Sequence, residues 1–268
     1  MIKLIASDID GTLINSKSEC TAATIEAITK AREQGMKFAI CSGRPVSGIK
    51  PLLKGWHLEG LCDYIVGMNG GEVLNVKENK FVSCYPLDRD IILDLMDEYE
   101  PMGYIPTYYD DSGLYVQKIT QDVINVATRT ATPYFEADVR KLTTGPQPKL
   151  MFILPSEKMK DIESYYEAHR HDDKYIAFKT AVDLFEFSNP LLAKDVGIRI
   201  ICAQMNIDLS QVIAFGDTTN DIEMLKAAGI GVCMANGSDD AKAVADVIGD
   251  SCDNDGIAKY LNEKILKN

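Results

Sequence analysis

Two carboxylates two residues apart, Asp8 and Asp10, stand in Ser7-Asp8-Ile9-Asp10-Gly11-Thr12-Leu13, where an apolar run (Ile2, Leu4, Ile5) gives out. Acids so placed can hold a hard cation or exchange a proton with a bound group. In open α/β sheets ligands collect outside the carboxyl ends of the strands, so a strand ending in paired aspartates and a glycine points acidic groups and backbone N–H groups into the binding crevice. Taken alone, Asp-x-Asp-Gly-Thr is also compatible with a turn capped by aspartates. A second acidic strand end argues for chemistry: the apolar run at 211–215 is followed by Gly216-Asp217-Thr218-Thr219-Asn220-Asp221.

Two further segments join them. The short apolar run at residues 37–41 ends in Ser42-Gly43-Arg44-Pro45, and an isolated Lys194 opens a helical pattern with Val196, Ile200 and Ala203 on one face. The elements that must position these groups alternate along the chain. They read as a strand over 3–7, a helix over 21–34 stopped by Gly35, a strand over 37–41, a helix over 46–53 and a strand over 64–66. Alternation of this kind predicts right-handed βαβ units and a parallel sheet.

After Phe81 the texture changes. A helix over 88–99 (Ile91, Ile92, Leu95, Met96) precedes a hairpin, with strands at 104–109 and 114–118 flanking Asp110-Asp111-Ser112-Gly113. A helix over 121–131, a strand over 149–154, a helix from Ser156 and strands at 175–179 and 184–187 complete an α+β segment. From about Pro190 the βαβ rhythm resumes, with a strand over 229–234 and a helix over 239–247. The chain therefore divides into a parallel-sheet core at 1–83 and 189–268, interrupted by an α+β insert at 84–188.

With 268 residues, 46% of them hydrophobic, the chain can bury a sizeable core. A formal net charge of -12 argues against a nucleic-acid partner, which calls for a basic face, and against an anionic membrane surface. It leaves open a small phosphorylated substrate. Seven scattered cysteines without a Cys-x-x-Cys pair suggest a reducing compartment, and no leader pattern or membrane-length apolar run occurs, so a cytoplasmic location is expected. Asn236-Gly237-Ser238 fits a glycosylation pattern that this compartment makes irrelevant.

The aspartate pair, the hydroxyl of Ser42, Lys194 and Gly216-Asp217 followed by Asp221 together resemble the haloacid dehalogenase superfamily. The size and place of the insert, with Asn69-Gly70-Gly71 and the segment 237–245, resemble its Cof-like branch, whose insert is a type IIB cap and whose members are mostly hydrolases of phosphorylated metabolites. The similarity spans essentially the whole chain. It implies an α/β fold, a Rossmann-like parallel-sheet core with an inserted α+β cap domain that closes over the substrate. The implied activity is a Mg²⁺-dependent phosphatase for small phosphorylated metabolites, sugar phosphates first among them.

The chemistry suits the residues. Bringing a carboxylate to a phosphate ester sets anion against anion, about 4 kcal/mol for one contact at 4 Å and an effective dielectric near 20. Asp8, Asp10, Asp217 and Asp221 around a phosphate require a hard cation, and oxygen ligands are what Mg²⁺ selects. One Mg²⁺ is expected on the carboxylates of Asp8 and Asp217, and the resemblance adds the backbone carbonyl of Asp10.

By the same resemblance Asp8 is the nucleophile that becomes an aspartyl-phosphate, and Asp10 protonates the leaving alcohol and then activates water. Ser42 is expected to donate to a phosphoryl oxygen, and Lys194 to steady Asp8 and the transferring group. Asp195 follows that lysine where many relatives have glycine.

Asp221 is expected to work at one remove, bonding backbone N–H groups or orienting a metal-bound water. By the resemblance Asn220 is expected to bind phosphate or a metal water, the alternative being a plain helix N-cap. Gly43, Arg44 and Asn69 join the substrate-binding set, with Arg44 reaching the phosphate or capping loops. Tyr108, Tyr109, Tyr115 and Lys149 of the insert could line a pocket, although tyrosines are ordinary in a half-buried sheet. His57, His169 and His171 show no ligand spacing, and Trp56 reads as packing.

Two other readings fit the same residues: a phosphomutase of the superfamily, and a phospho-accepting signalling receiver, which is shorter and lacks both an insert and a second catalytic carboxylate. Oligomeric state is not legible.

Overall fold

A computed structural model describes residues 1–110, 112–130, 132–171 and 173–266. The chain forms two compact units, one of Met1–Cys84 with Leu192–Asn268 and the other of Tyr85–Leu191. Strands of the first are β1 (Leu4–Ser7), β2 (Lys37–Cys41), β3 (Tyr64–Gly67), β4 (Glu72–Asn75) and β5 (Lys80–Ser83). The second unit holds β6 (Ile105–Asp110), β7 (Gly113–Val116), β8 (Tyr134–Glu136), β9 (Leu150–Ile153), β10 (Ile176–Ala181) and β11 (Leu184–Ser188), and the chain returns to the first with β12 (Val212–Gly216), β13 (Ile230–Cys233) and β14 (Val247–Ile248).

In the first unit the strands form one sheet in the order β14-β13-β12-β1-β2-β3-β4-β5, parallel from β14 to β3. The order reverses direction at β1, which lies between β2 and β12. The carboxyl end of β1 is thus the switch point where open α/β sheets hold ligands. Continuous apolar runs follow from burial on both faces. Ile5, Phe38, Ile40, Ile213 and Phe215 enter one core with Ile28 of the helix Ala22–Glu33. Leu4, Ala6, Ala39, Val212 and Ala214 enter the other with Ile198 and Ile201 of the helix Lys194–Met205.

Four expectations need correction here. The stretch 46–53 forms two short helices, Val46–Ile49 and Leu52–Gly55, because Pro51 has no N–H to give the carbonyl of Ser47. The strands β4 and β5 form an antiparallel hairpin that extends the sheet beyond the expected parallel set. The helix from Asp239 ends at Val244, since Asp246 turns back to β13, accepting from Gly231 N at 2.8 Å and donating its own N–H to Gly231 O, and Val247–Ile248 becomes a strand. The segment from Ser156 begins as a 3-10 turn before the helix Met159–His169.

The second unit is built on a six-stranded sheet, β10-β11-β9-β6-β7-β8, antiparallel except for β7 with β8. Successive residues of β9 face opposite sides. Phe152 packs with Tyr99, Phe185 and Phe187 under the helices Arg89–Tyr99 and Met159–His169, and Ile153 packs with Val123 and Val126 of the helix Gln121–Thr130. Asp111 of the expected hairpin turn and Ala131 at the expected helix end lie outside the described residues. Among the described residues no helix is long and apolar enough to cross a membrane.

At the amino end of β3, buried Asp63 ties three elements together. It accepts from Phe38 N at 3.0 Å and from Lys37 Nζ at 3.0 Å, and it pairs with Arg32 of the first helix. Removing the acceptor strands a buried N–H and two cations. Asp63→Ala is expected to lower unfolding free energy by about 2–4 kcal/mol in urea titrations, and Arg32→Ala by clearly less; equal losses would refute the shared-acceptor account.

Candidate active site

Each parallel strand near the switch point delivers one polar group. Asp8 follows β1 and is held to β12 through its N–H, which donates to Phe215 O at 2.9 Å. Ser42 follows β2, Asn69 follows β3, and Asp217 follows β12. Lys194 is the first residue of its helix, which packs on the same sheet.

Lys194 is 0% exposed, and its ammonium lies 2.6 Å from Asp8 Oδ1 and 2.6 Å from Asp221 Oδ1. The other oxygen of Asp221 accepts from Asp217 N at 2.9 Å and Thr218 N at 3.0 Å. Both oxygens of Asp221 are thereby engaged, so this carboxylate fixes Lys194 and the loop that carries Asp217. Oxygens of Asp8, Asp217 and Asp221 lie within 4.8 Å of one another.

Asp217 is seated by the motif at the other end of the chain. Thr12 donates its hydroxyl to Asp217 Oδ1 at 2.8 Å, and Gly11, at φ 84, leaves the space that Asp217 Oδ2 needs, since a Cβ there would fall 2.6 Å from it. Asn236 donates from Nδ2 to Gly11 O at 2.8 Å, and the backbone N–H of Ser238 donates to Asp217 O at 2.8 Å. Sequence reasoning quoted Gly11 and Thr12 without giving them this task, and it set Asn236 aside. The signal was present in Asp-Gly-Thr, whose glycine and hydroxyl serve an acid more than two hundred positions away.

Burial governs the electrostatics. It raises the Asp8 carboxyl to about 7; Lys194 pulls the other way, and Asp221 and Asp217 add to the rise. Asp217 is raised to about 6, again chiefly by burial, with the Thr12 hydroxyl opposing and Asp221 reinforcing. Burial would drain charge from Lys194, yet Asp8 and Asp221 outweigh it and hold the ammonium above the ordinary lysine range. Three buried carboxylates thus face one ammonium. An all-oxygen donor set short of positive charge fits a hard divalent cation, and Asp8 and Asp217, each with an oxygen not engaged by Lys194 or Thr12, are the residues able to hold it.

Of the remaining groups, Asp10, Arg44 and Asn220 are exposed. Arg44 Nη2 lies 2.7 and 2.8 Å from the two oxygens of Asp10. Ser42 is buried, its hydroxyl accepting from Arg44 N at 3.2 Å across Gly43. Asn220 donates from Nδ2 to Asn69 Oδ1 at 3.3 Å, and it also accepts from the Thr218 hydroxyl. All ten residues singled out in the sequence therefore lie at the carboxyl ends of β1, β2, β3 and β12 or at the helix start beside them. In the second unit, Lys149 forms an internal pair with Glu186 at 2.7 Å, and Tyr108 packs edge-on against Tyr115. Trp56 is buried in the core, while His57 is exposed.

Comparison with known proteins agrees with this arrangement. The family described as haloacid dehalogenase-like hydrolase matches residues 5–261. YxeH of Bacillus subtilis is 30% identical over 99% of both chains. A solved haloacid dehalogenase-like hydrolase from Bacteroides thetaiotaomicron superposes with a TM-score of 0.86 at 27% identity, covering 98% of this chain and 99% of its own. The subclass IIB sugar phosphatase BT4131 shares the fold at TM-score 0.80 and 23% identity, over 97% of this chain and 98% of its own. With two acidic strand ends gathered around a buried lysine and a family match over nearly its whole length, the chain belongs to the haloacid dehalogenase-like hydrolases and is a phosphomonoesterase.

Proposed function

We propose that the enzyme hydrolyses small phosphorylated metabolites, sugar phosphates among them, through an aspartyl-phosphate on Asp8. The observation that carries this reading is the Lys194 ammonium 2.6 Å from Asp8 Oδ1, which fixes a buried carboxylate in one orientation at the switch point of the sheet. Asp8 attacks phosphorus while the bond to the alcohol oxygen breaks, and Asp10 gives that oxygen its proton. Asp10 then takes a proton from the water that attacks the acyl phosphate, releasing inorganic phosphate and restoring Asp8. Ser42 and Arg44 are assigned to the phosphoryl oxygens, with Asn220 and Gly43 beside them, and Asp221 orients Lys194 and the Asp217 loop.

Mg²⁺ held by Asp8, Asp217 and the backbone carbonyl of Asp10 would supply the positive charge that lets an anion approach a phosphate. All seven cysteines are free thiols, in keeping with a reducing, cytoplasmic setting. The acidic chain suits a small substrate better than a nucleic acid.

Asp8→Asn should lower kcat by about 10³-fold or more with the far-UV spectrum unchanged; appreciable turnover would defeat the covalent route. Asp10→Asn should keep metal binding and slow alkyl phosphates far more than p-nitrophenyl phosphate, whose leaving group needs no proton, and an equal loss on both would remove Asp10 as the acid. Release of inorganic phosphate from hexose phosphates, against formation of an isomer without release, separates hydrolysis from phosphoryl transfer within the sugar.

Metal binding should also depend on pH in a stated direction. The folded pKa values of Asp8 and Asp217, about 7 and about 6, lie above the unfolded value, so the folded chain binds more protons between roughly pH 4 and 7. Without metal, stability is therefore fully present at the acid end and declines as pH rises through that window. Mg²⁺ needs the ionised carboxylates, so the rise in melting temperature it produces should be larger at pH 7.5 than at pH 5.5. Differential scanning fluorimetry with EDTA and with Mg²⁺ measures both, and an increment independent of pH would contradict the assignment.

A further inference from the structure

The turn Met68–Gly70 is an unusual piece of backbone in the first unit. Met68 and Asn69 both have φ 50, and Gly70 follows at φ 102. Two successive side-chain-bearing residues in the left-handed region are strained, and such strain persists only where surrounding contacts dictate it.

The contacts are specific. Met68 N donates to Arg44 O at 3.0 Å and Asn69 N to Ser42 O at 3.0 Å, so the turn grips the loop at residues 42–44 from both ends. The Asn69 carboxamide lies over that loop, where a Cβ on Gly43 would come within 3.2 Å of Oδ1, and the same oxygen accepts from Asn220 Nδ2 at 3.3 Å. Gly70 abuts the peptide just before Lys194: a Cβ there would sit 2.1 Å from Ala193 O. One three-residue turn therefore touches the Ser42 loop, the Asn220 loop and the start of the Lys194 helix. It lies outside the charge network.

The geometry points to Asn69 as a positioning residue, whose carboxamide fixes the Ser42–Gly43–Arg44 loop against Asn220 and whose strained backbone is retained for that purpose. This replaces the expectation that Asn69 binds substrate directly, and it rests on the phosphatase reading of the same site. A bridging carboxamide and a direct substrate contact differ in one respect. If Asn69 acts through Asn220 and the Ser42 loop, removing Asn220 after Asn69 should cost little more, whereas two independent substrate contacts would lose activity multiplicatively.

Asn69→Gly separates backbone from side chain, because glycine adopts φ 50 without strain. In the full chain with Mg²⁺, Asn69→Gly should keep or raise the melting temperature while kcat/KM for p-nitrophenyl phosphate falls about 10–100-fold. Asn220→Ala should fall comparably, and the double variant should lie within about threefold of the worse single variant. Retention of kcat/KM within twofold in Asn69→Gly, or multiplied losses in the double variant, would overturn the proposal. Wild type that hydrolyses no ester would instead sink the phosphatase reading. The same cycle is then read on the Kd for inorganic phosphate, where a multiplied or absent loss, or no binding by wild type, overturns the positioning role as well.

Discussion

The Lys194 ammonium, buried between Asp8 and Asp221, is the constraint on which the rest of the site depends. An unpaired ammonium out of water is far too unfavourable to persist, so the two carboxylates must be delivered to it. Asp8 comes from β1 and Asp221 from the turn after β12, with 186 and 27 positions of chain between them and the lysine. Only the parallel pairing of β1 with β12, and the packing of the Lys194 helix on that sheet, bring the three within hydrogen-bond reach. The site thus cannot form ahead of the fold. Once formed, its charges resist rearrangement, because each is the solvation of another.

A division of labour follows from burial. The inner layer, Asp8, Lys194, Asp217 and Asp221, is oriented by fixed donors: the Thr12 hydroxyl, the N–H groups of Asp217 and Thr218, and the lysine itself. Such groups are oriented before any substrate arrives, which is what electrostatic preorganisation requires. The outer layer, Asp10, Arg44 and Asn220, is exposed, and its side-chain groups contact other side chains. The proton exchange proposed for Asp10 belongs in that layer. Water there makes each rearrangement inexpensive, whereas the same change among the buried four would strand a charge.

The sequence was most legible where burial is two-sided. The runs before Asp8, Ser42 and Asp217 are largely apolar because both faces of β1, β2 and β12 are covered, and their ends are abrupt, so each strand and the polar segment after it could be read together. Legibility failed where a structure depends on one residue's backbone or on distant partners. The hairpin of β4 and β5 has an exposed outer strand with no clear alternation. The strand β8 is three exposed residues long. Pro51 splits a helical pattern that periodicity alone would continue. The Arg44–Asp10 pair and the Asn69–Asn220 bond join side chains 34 and 151 positions apart, and no local spacing encodes them.

The second unit bears on the same economy of charge. Its apolar clusters draw only on residues between Leu87 and Phe187, centred on Tyr99, Phe152 and Phe187, and its buried pair of Lys149 with Glu186 is neutralised internally. Among the described residues, the hydrogen bonds that orient Asp8, Lys194, Asp217 and Asp221 come from the first unit. A substitution inside the insert therefore replaces none of the residues that make these hydrogen bonds. The strongest demand on the fold, compensation of one buried lysine, is met by residues that the insert does not contain.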